Sequence, residues 1–139
     1  MSFVKYDPEA PKSFARHAQL CIKVAKETMN VDFRYDLESV KKLDDLVTSI
    51  GTLPTPQRLA QIVVVIGSFL GETLCQVYHG RWEFDDTLKT WAVRFKLPDH
   101  KEEGANVFFK VEKRFKNGME DSISFFAHVI DGRIKGIIP

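Results

Sequence analysis

Cysteine is scarce in this chain of 139 residues, and so is any excess of charge. The two cysteines, Cys21 and Cys75, do not make a disulfide framework. Both lie in apolar, helix-like segments, where a free thiol acts as a small hydrophobe, and that usage fits a reducing cytoplasm. Lys and Arg together number 20 against 19 Asp and Glu. The balance holds in each half, nine basic against nine acidic over residues 1–80 and eleven against ten over residues 81–139. A nucleic-acid binder releases counterions through a basic surplus on one face. None exists here at domain scale, which argues against a nucleic-acid partner.

Long apolar runs are missing too. The longest stretch without charge spans residues 59–71, thirteen residues, against roughly 20 for a membrane-spanning helix. Continuing it to Tyr78 brings in Glu72 and Gln76, so it reads as a buried helix and not as a membrane span. Residues 1–8 lack the apolar core and cleavage site of a signal peptide. There is no internal repeat, phosphate-binding loop, nucleophile elbow, zinc finger, metalloprotease or dinucleotide fingerprint, so neither a cofactor nor a metal is expected.

What is present is an ordinary globular balance, 44% hydrophobic and 28% charged, in a length that suits one domain over residues 1–139. Phe14, Ala18, Cys21, Ile22, Ala25 and Met29 recur at steps of three and four and predict a first helix over residues 13–29. Asp36 is a suitable N-cap for a second, with Leu37, Val40, Leu43, Val47 and Ile50 as its apolar face and Gly51 as its stop. Thr55 followed by Pro56 is a strong start for a third, running to Tyr78 or His79 with Gly80 as its stop. On that helix Arg58, Gln61, Ser68, Glu72, Gln76 and His79 make one polar seam, shared with Val65. Gly67 and Gly71, one turn apart on another face, predict the close approach of a neighbouring element.

Past Gly80 the pattern alternates. Residues 81–84 and 91–95 predict a hairpin with Trp82, Phe84, Trp91, Val93 and Phe95 facing the core. Residues 97–104 read as a polar loop, and residues 106–109 as a third strand. Asn117-Gly118 and Asp131-Gly132 are hairpin signals, yet residues 119–130 suit a helix better. Ile123, Phe126, Ala127 and Ile130 share one face, and Asp121 or Ser122 can cap the start. Val107, Val111 and Phe115 also fit helical steps, so the preferred arrangement is a short helix, a stop at Gly118, and a second helix. Residues 133–138 end the chain as a last strand or a docked arm. The expected fold is α+β: N-terminal helices including one long buried helix, a small antiparallel sheet of about three strands, and a C-terminal helical pair.

Gly67-Ser68-Phe69-Leu70-Gly71-Glu72, Gly80-Arg81-Trp82, the Val-Phe-Phe-Lys-Val-Glu-Lys-Arg run over residues 107–114 and Asn117-Gly118-Met119-Glu120-Asp121-Ser122 resemble a family of small uncharacterised bacterial domains. The resemblance implies a long glycine-containing helix, a Trp-bearing strand pair, a basic short helix and a final helix, in a bacterial cytoplasm. It implies no activity. Members commonly carry a proline near the Phe108-Phe109 position, and this sequence has none there.

Several residues are candidates for binding. Glu72 is the one acid of the third helix, a base or ligand-binding carboxylate on one reading and a bridged seam residue, beside Gln76 and His79, on the plainer one. Lys110, Lys113, Arg114 and Lys116 stand against Glu112 as an anion patch or as the solvated face of a short helix. A bridge from Glu72 or Asp121 to Lys110 or Lys113 would be structural. Asp121 also suits a helix start. His17 and Cys21 stand four apart, but Cys21 is on the apolar stripe, which favours packing over a metal. Trp82 and Trp91 are hairpin core or an exposed binding face. The leading functional reading is a non-catalytic binding domain for a protein partner or an identical subunit, with an immunity or regulatory role. The alternative is a small hydrolase or transferase using Glu72 with His79 or Lys113. Nucleic-acid binding ranks last.

Overall fold

In the computed structural model, residues 6–139 are described; the reading of the first residues against a signal peptide therefore falls largely outside them. Helix α1 is Ala10–Met29, and it starts three residues before the predicted Ser13. Pro11 sits in the first turn, where its fixed φ suits a helix and its missing N–H costs nothing. The predicted stripe is the buried one, with Phe14, Ala18, Cys21 and Ala25 in the core.

The single helix expected over residues 37–50 is two. Asp36 caps α2 (Leu37–Lys41) by accepting the Ser39 N–H at 2.8 Å. The path then tightens at Lys42, whose N–H bonds the Ser39 carbonyl, and α3 (Leu43–Ile50) follows. The break keeps Val40, Leu43, Leu46 and Val47 in the core and turns Asp44 inward with them. Gly51 ends α3 at φ +74°.

Helix α4 (Pro56–Tyr78) is long and apolar enough to cross a membrane by length and composition alone. Here it is the central helix, packed on α1 and α5 (Val107–Asn117), with Val63, Ile66, Phe69, Leu70 and Leu74 fully buried. Thr55 caps it as predicted, accepting the Arg58 N–H at 3.2 Å. The left-handed residue after it is His79 and not Gly80. Gly80 is needed for another reason, since a Cβ there would stand 2.8 Å from Val93 Cγ1 and 3.1 Å from the Arg94 carbonyl. The predicted polar seam is interrupted: Arg58, Gln61, Gln76 and His79 are exposed, Glu72 is half-buried, and Val65 and Ser68 are buried.

The glycine prediction is met. A Cβ at Gly67 would lie 2.5 Å from Phe108 Cδ1, and one at Gly71 would overlap the Trp82 ring. Trp82 and Phe108 stack on each other across this strip, centroids 5.7 Å apart and planes within 16°. Two glycines one turn apart thus make a shallow channel for an aromatic pair, one ring from the sheet and one from α5.

Strands β1 (Arg81–Asp85), β2 (Thr90–Lys96) and β3 (Glu102–Ala105) form an antiparallel sheet in that order. Trp82 pairs with Val93 and Phe84 with Trp91; Trp91, Val93 and Phe95 are buried, and Trp82 and Phe84 half-buried. The third strand corrects the expectation. It lies in the supposed polar loop, not at residues 106–109. Its residues are poor strand formers, and charge holds them in place. Arg81 on β1 reaches across β2 to both oxygens of Glu102 at 2.8 Å, and Glu103 pairs with Arg133. A charged edge strand is also protected against adding further strands. Residues 107–109 instead open α5, with Val107, Phe108 and Val111 buried.

Gly118 (φ +76°) ends α5. A 3-10 turn (Gly118–Asp121) leads to α6 (Ile123–Ile134), capped by Ser122. The helix predicted from residue 119 begins later and runs through Asp131-Gly132, which is no turn. A Cβ at Gly132 would meet Ile138, so that glycine admits the returning tail. The tail is a docked arm and not a strand: Gly136 (φ +74°) turns it back, and the N–H groups of Ile137 and Ile138 bond the Gly132 carbonyl. Ile134 and Ile138 are thereby half-buried, and Ile137 stays exposed. The fold is α+β, with the long central helix, three-stranded antiparallel sheet and C-terminal helices that the sequence predicts.

The channel has a measurable consequence. Gly71→Ala gains roughly 1 kcal/mol of helix propensity but pushes a rigid ring out of place, a cost of about 1–3 kcal/mol. Urea denaturation is expected to show net destabilisation; a variant more stable than the parent would mean that Trp82 moves aside freely.

Candidate functional site

The residues singled out from sequence lie in separate places. Glu72 accepts the Trp82 indole N–H at 2.8 Å. Its carboxylate is thus tied to the ring that fills the glycine channel. Gln76 and His79 lie farther along α4, exposed, and no hydrogen bond or ion pair among the described residues joins either to Glu72. Lys110 meets Asp121 at 3.0 Å and stands 5.6 Å from the Phe126 ring centroid, so one of the bridges anticipated from sequence forms. Hydrogen bonds from Asn117 and Lys110 hold the Asp121 carboxyl below the usual aspartate range. Lys113 is exposed and joins no ion pair among the described residues.

His17 Nδ1 lies 2.8 Å from the Ser13 carbonyl. Cys21 is buried, and burial pushes its thiol up to about 12. No group of three or more metal-ligating side chains occurs among the described residues.

Arg114 is different. Its side chain and that of Asp44 are each 7% exposed and meet at 2.8 Å through Nε and Oδ1. Asp44 Oδ1 also accepts the Ile123 N–H at 3.0 Å, and Oδ2 accepts the Ser122 hydroxyl at 2.8 Å and the Ser124 N–H at 3.0 Å. One carboxylate thus caps α6, where the helix dipole favours negative charge, and neutralises a cation from α5. Burial alone would raise its pKa. The N–H groups of Ser124 and Ile123, the Ser122 hydroxyl and Arg114 outweigh that and hold it below the ordinary value of 3.8. Sequence reading missed Asp44, although a signal was there. It sits four residues after Val40 and three before Val47, on the apolar face, where an acid needs partners.

Arg114 has further donors. Nη2 reaches the Asp44 carbonyl at 3.3 Å and Thr48 Oγ1 at 3.1 Å. No described residue accepts from Nη1. Among the described residues, the sealed polar side-chain atoms without partners are Ser68 Oγ, Thr90 Oγ1, Arg94 Nε, Glu103 Oε2 and Arg133 Nε. Arg114 Nη1 is thus neither bonded nor sealed, and Arg114 lines an open groove of about 620 Å³. The end of α3, the loop over residues 51–55, the start of α4 and one side of α5 form its walls. Val47, Leu53, Leu59 and Phe115 make them apolar, and Glu112 and Lys116, paired at 3.3 Å, stand at one side.

Two other concavities are present. A trough of about 740 Å³ is lined by Trp82, Phe84 and Trp91 together with Tyr6, whose ring already covers Phe84 and Trp91 at 5.1 and 6.0 Å. A polar hollow of about 340 Å³ lies over the sheet between Glu83, Asp85, Arg94 and Asn106. No protein-family model, curated protein or solved structure matches this chain significantly.

Removing the shared carboxylate exposes its worth. Asp44→Ala leaves a buried guanidinium and a helix start without their acceptor, a loss of about 3–5 kcal/mol at neutral pH. Because the folded-state pKa lies below the unfolded one, the stabilisation is complete above the unfolded value and is lost as pH falls through the folded one. The gap in thermal midpoint between parent and variant should hold above about pH 4 and close in more acid solution. A gap unchanged down to pH 2 would contradict this.

Proposed function

We propose that this chain is a non-catalytic binding domain for a protein partner, and that the groove between α3, α4 and α5 is its binding face. The observation that carries this reading is the pairing of apolar walls with a guanidinium already fixed in place. Convergent polar groups in an apolar recess are what binding sites are made of, and about 620 Å³ is an ordinary size for one. The groove is also preformed. Pro54 and Pro56 stiffen the loop wall, and three hydrogen bonds to Asp44 and Thr48 hold Arg114, so little freedom is lost when a ligand enters. In its concrete form the partner is a protein that this domain neutralises or regulates.

Capped apolar tri- and tetrapeptides titrated into ¹⁵N-labelled protein test the reading. Amide shifts are expected to concentrate at Thr48, Thr52, Leu53, Leu59 and Phe115. Leu53→Asp, a change on the loop wall, should weaken those shifts about tenfold, since a charge has been placed in the apolar recess. Shifts gathered around Glu72 and Trp82, or none at the groove, would move the function elsewhere.

A further inference from the structure

We infer that the partner segment seated in this groove brings a carboxylate, an Asp or Glu side chain among apolar neighbours, to Nη1 of Arg114; this rests on the groove being the binding face. Three observations carry it. First, the donor inventory is incomplete. A guanidinium has five N–H bonds; Nε serves Asp44 Oδ1, and Nη2 serves the Asp44 carbonyl and Thr48. Both Nη1 protons are left for an acceptor from outside the fold.

Second, the acid that faces Arg114 is fully used. Among the described residues Asp44 is the one acid paired with Arg114, and its two oxygens also take the Ile123 N–H, the Ser124 N–H and the Ser122 hydroxyl. Its acceptor capacity is filled, so an anion that reaches Nη1 does not compete with it. Glu112 and Lys116, the other charged side chains of the groove, cancel each other.

Third, the surroundings select the body that carries the anion. Val47, Leu53, Leu59 and Phe115 favour apolar flanks, so a fully hydrated acidic tail would leave them uncovered. Charge-assisted bonds to a fixed guanidinium at the edge of an apolar recess are stronger than the same bonds in open water.

The test compares acetyl-Leu-Glu-Leu-amide with acetyl-Leu-Gln-Leu-amide by titration into the ¹⁵N-labelled full chain. The acid is expected to bind about tenfold more tightly and to shift the Arg114 guanidinium signals, while the amide peptide leaves those signals in place. Glu112→Ala combined with Lys116→Ala, which removes the ion pair at the groove's side as a unit, should keep the preference; its loss would assign the preference to that pair and overturn the inference. Arg114→Lys, if folded, should abolish the preference, and the guanidinium signals of the parent answer the same question if it is not. Equal binding of both peptides in the groove overturns the carboxylate inference and leaves the binding reading standing. Absence of both from the groove overturns the binding reading itself.

Discussion

Asp44 is the point at which three elements of this fold are fastened. Its carboxylate, on α3, receives Arg114 from α5 and the first N–H groups of α6. Helix α3 lies far along the chain from the consecutive helices α5 and α6, with Asp44 and Arg114 70 positions apart. Apolar packing brings such segments together without fixing their rotation. A carboxylate with four donors does fix it, because each donor has to point at a particular oxygen. The cost of burying the charge makes misaligned packings unfavourable, since an unpaired carboxylate in the core loses its hydration and gains nothing in return.

A second constraint comes from shape. The strip formed by Gly67 and Gly71 lets the Trp82–Phe108 stack lie directly on the α4 backbone. Trp82 comes from β1 and Phe108 from α5, so this contact sets the distance of both sheet and helix from the central helix. Phe14 of α1 adds a third ring, 4.5 Å from Trp82 and 5.2 Å from Phe108. Glu72 belongs to this cluster and not to any acid–base pair seen among the described residues. By accepting the indole N–H it satisfies the polar atom of a ring that would otherwise be half-buried with an open donor.

The sequence was legible wherever a local rule decided the outcome. Asp36, Thr55 and Ser122 as caps, Gly51 and Gly118 as stops, and the Phe14-to-Ala25 stripe each follow from a few adjacent residues. It was misleading where distant partners decided. Glu102 and Glu103 look like loop residues until Arg81 and Arg133 face them. Asp131-Gly132 looks like a turn until Ile138 folds back onto the glycine. The candidate site was half legible. Arg114 was singled out within a basic run, but the run divides by burial, with Arg114 in the core, Lys110 bridged to Asp121, and Lys113 and Lys116 outside. The helical period marks Arg114 out, three residues after Val111 and seven after Val107 on the buried face. Its acceptor Asp44 lies 70 positions away, and that pairing is a property of the tertiary fold.

Stability alone does not account for the Asp44–Arg114 pair. Well-packed apolar side chains of similar volume commonly replace a buried ion pair without loss, and often with a gain of about 1–4 kcal/mol. An apolar replacement here would keep the Ser122 cap but leave the Ile123 and Ser124 N–H groups without their acceptor and the groove without its guanidinium. The two ends of Arg114 face different ways: Nε and Nη2 turn inward to α3, whereas Nη1 has no acceptor within the described chain. A side chain with one edge held rigidly and the other left unanswered is costly as pure scaffold and well suited to recognition. Its geometry is set before a ligand arrives, by the same contact that orients α3, α5 and α6. Any partner that uses Nη1 would therefore bind a feature that exists only when the domain is correctly folded.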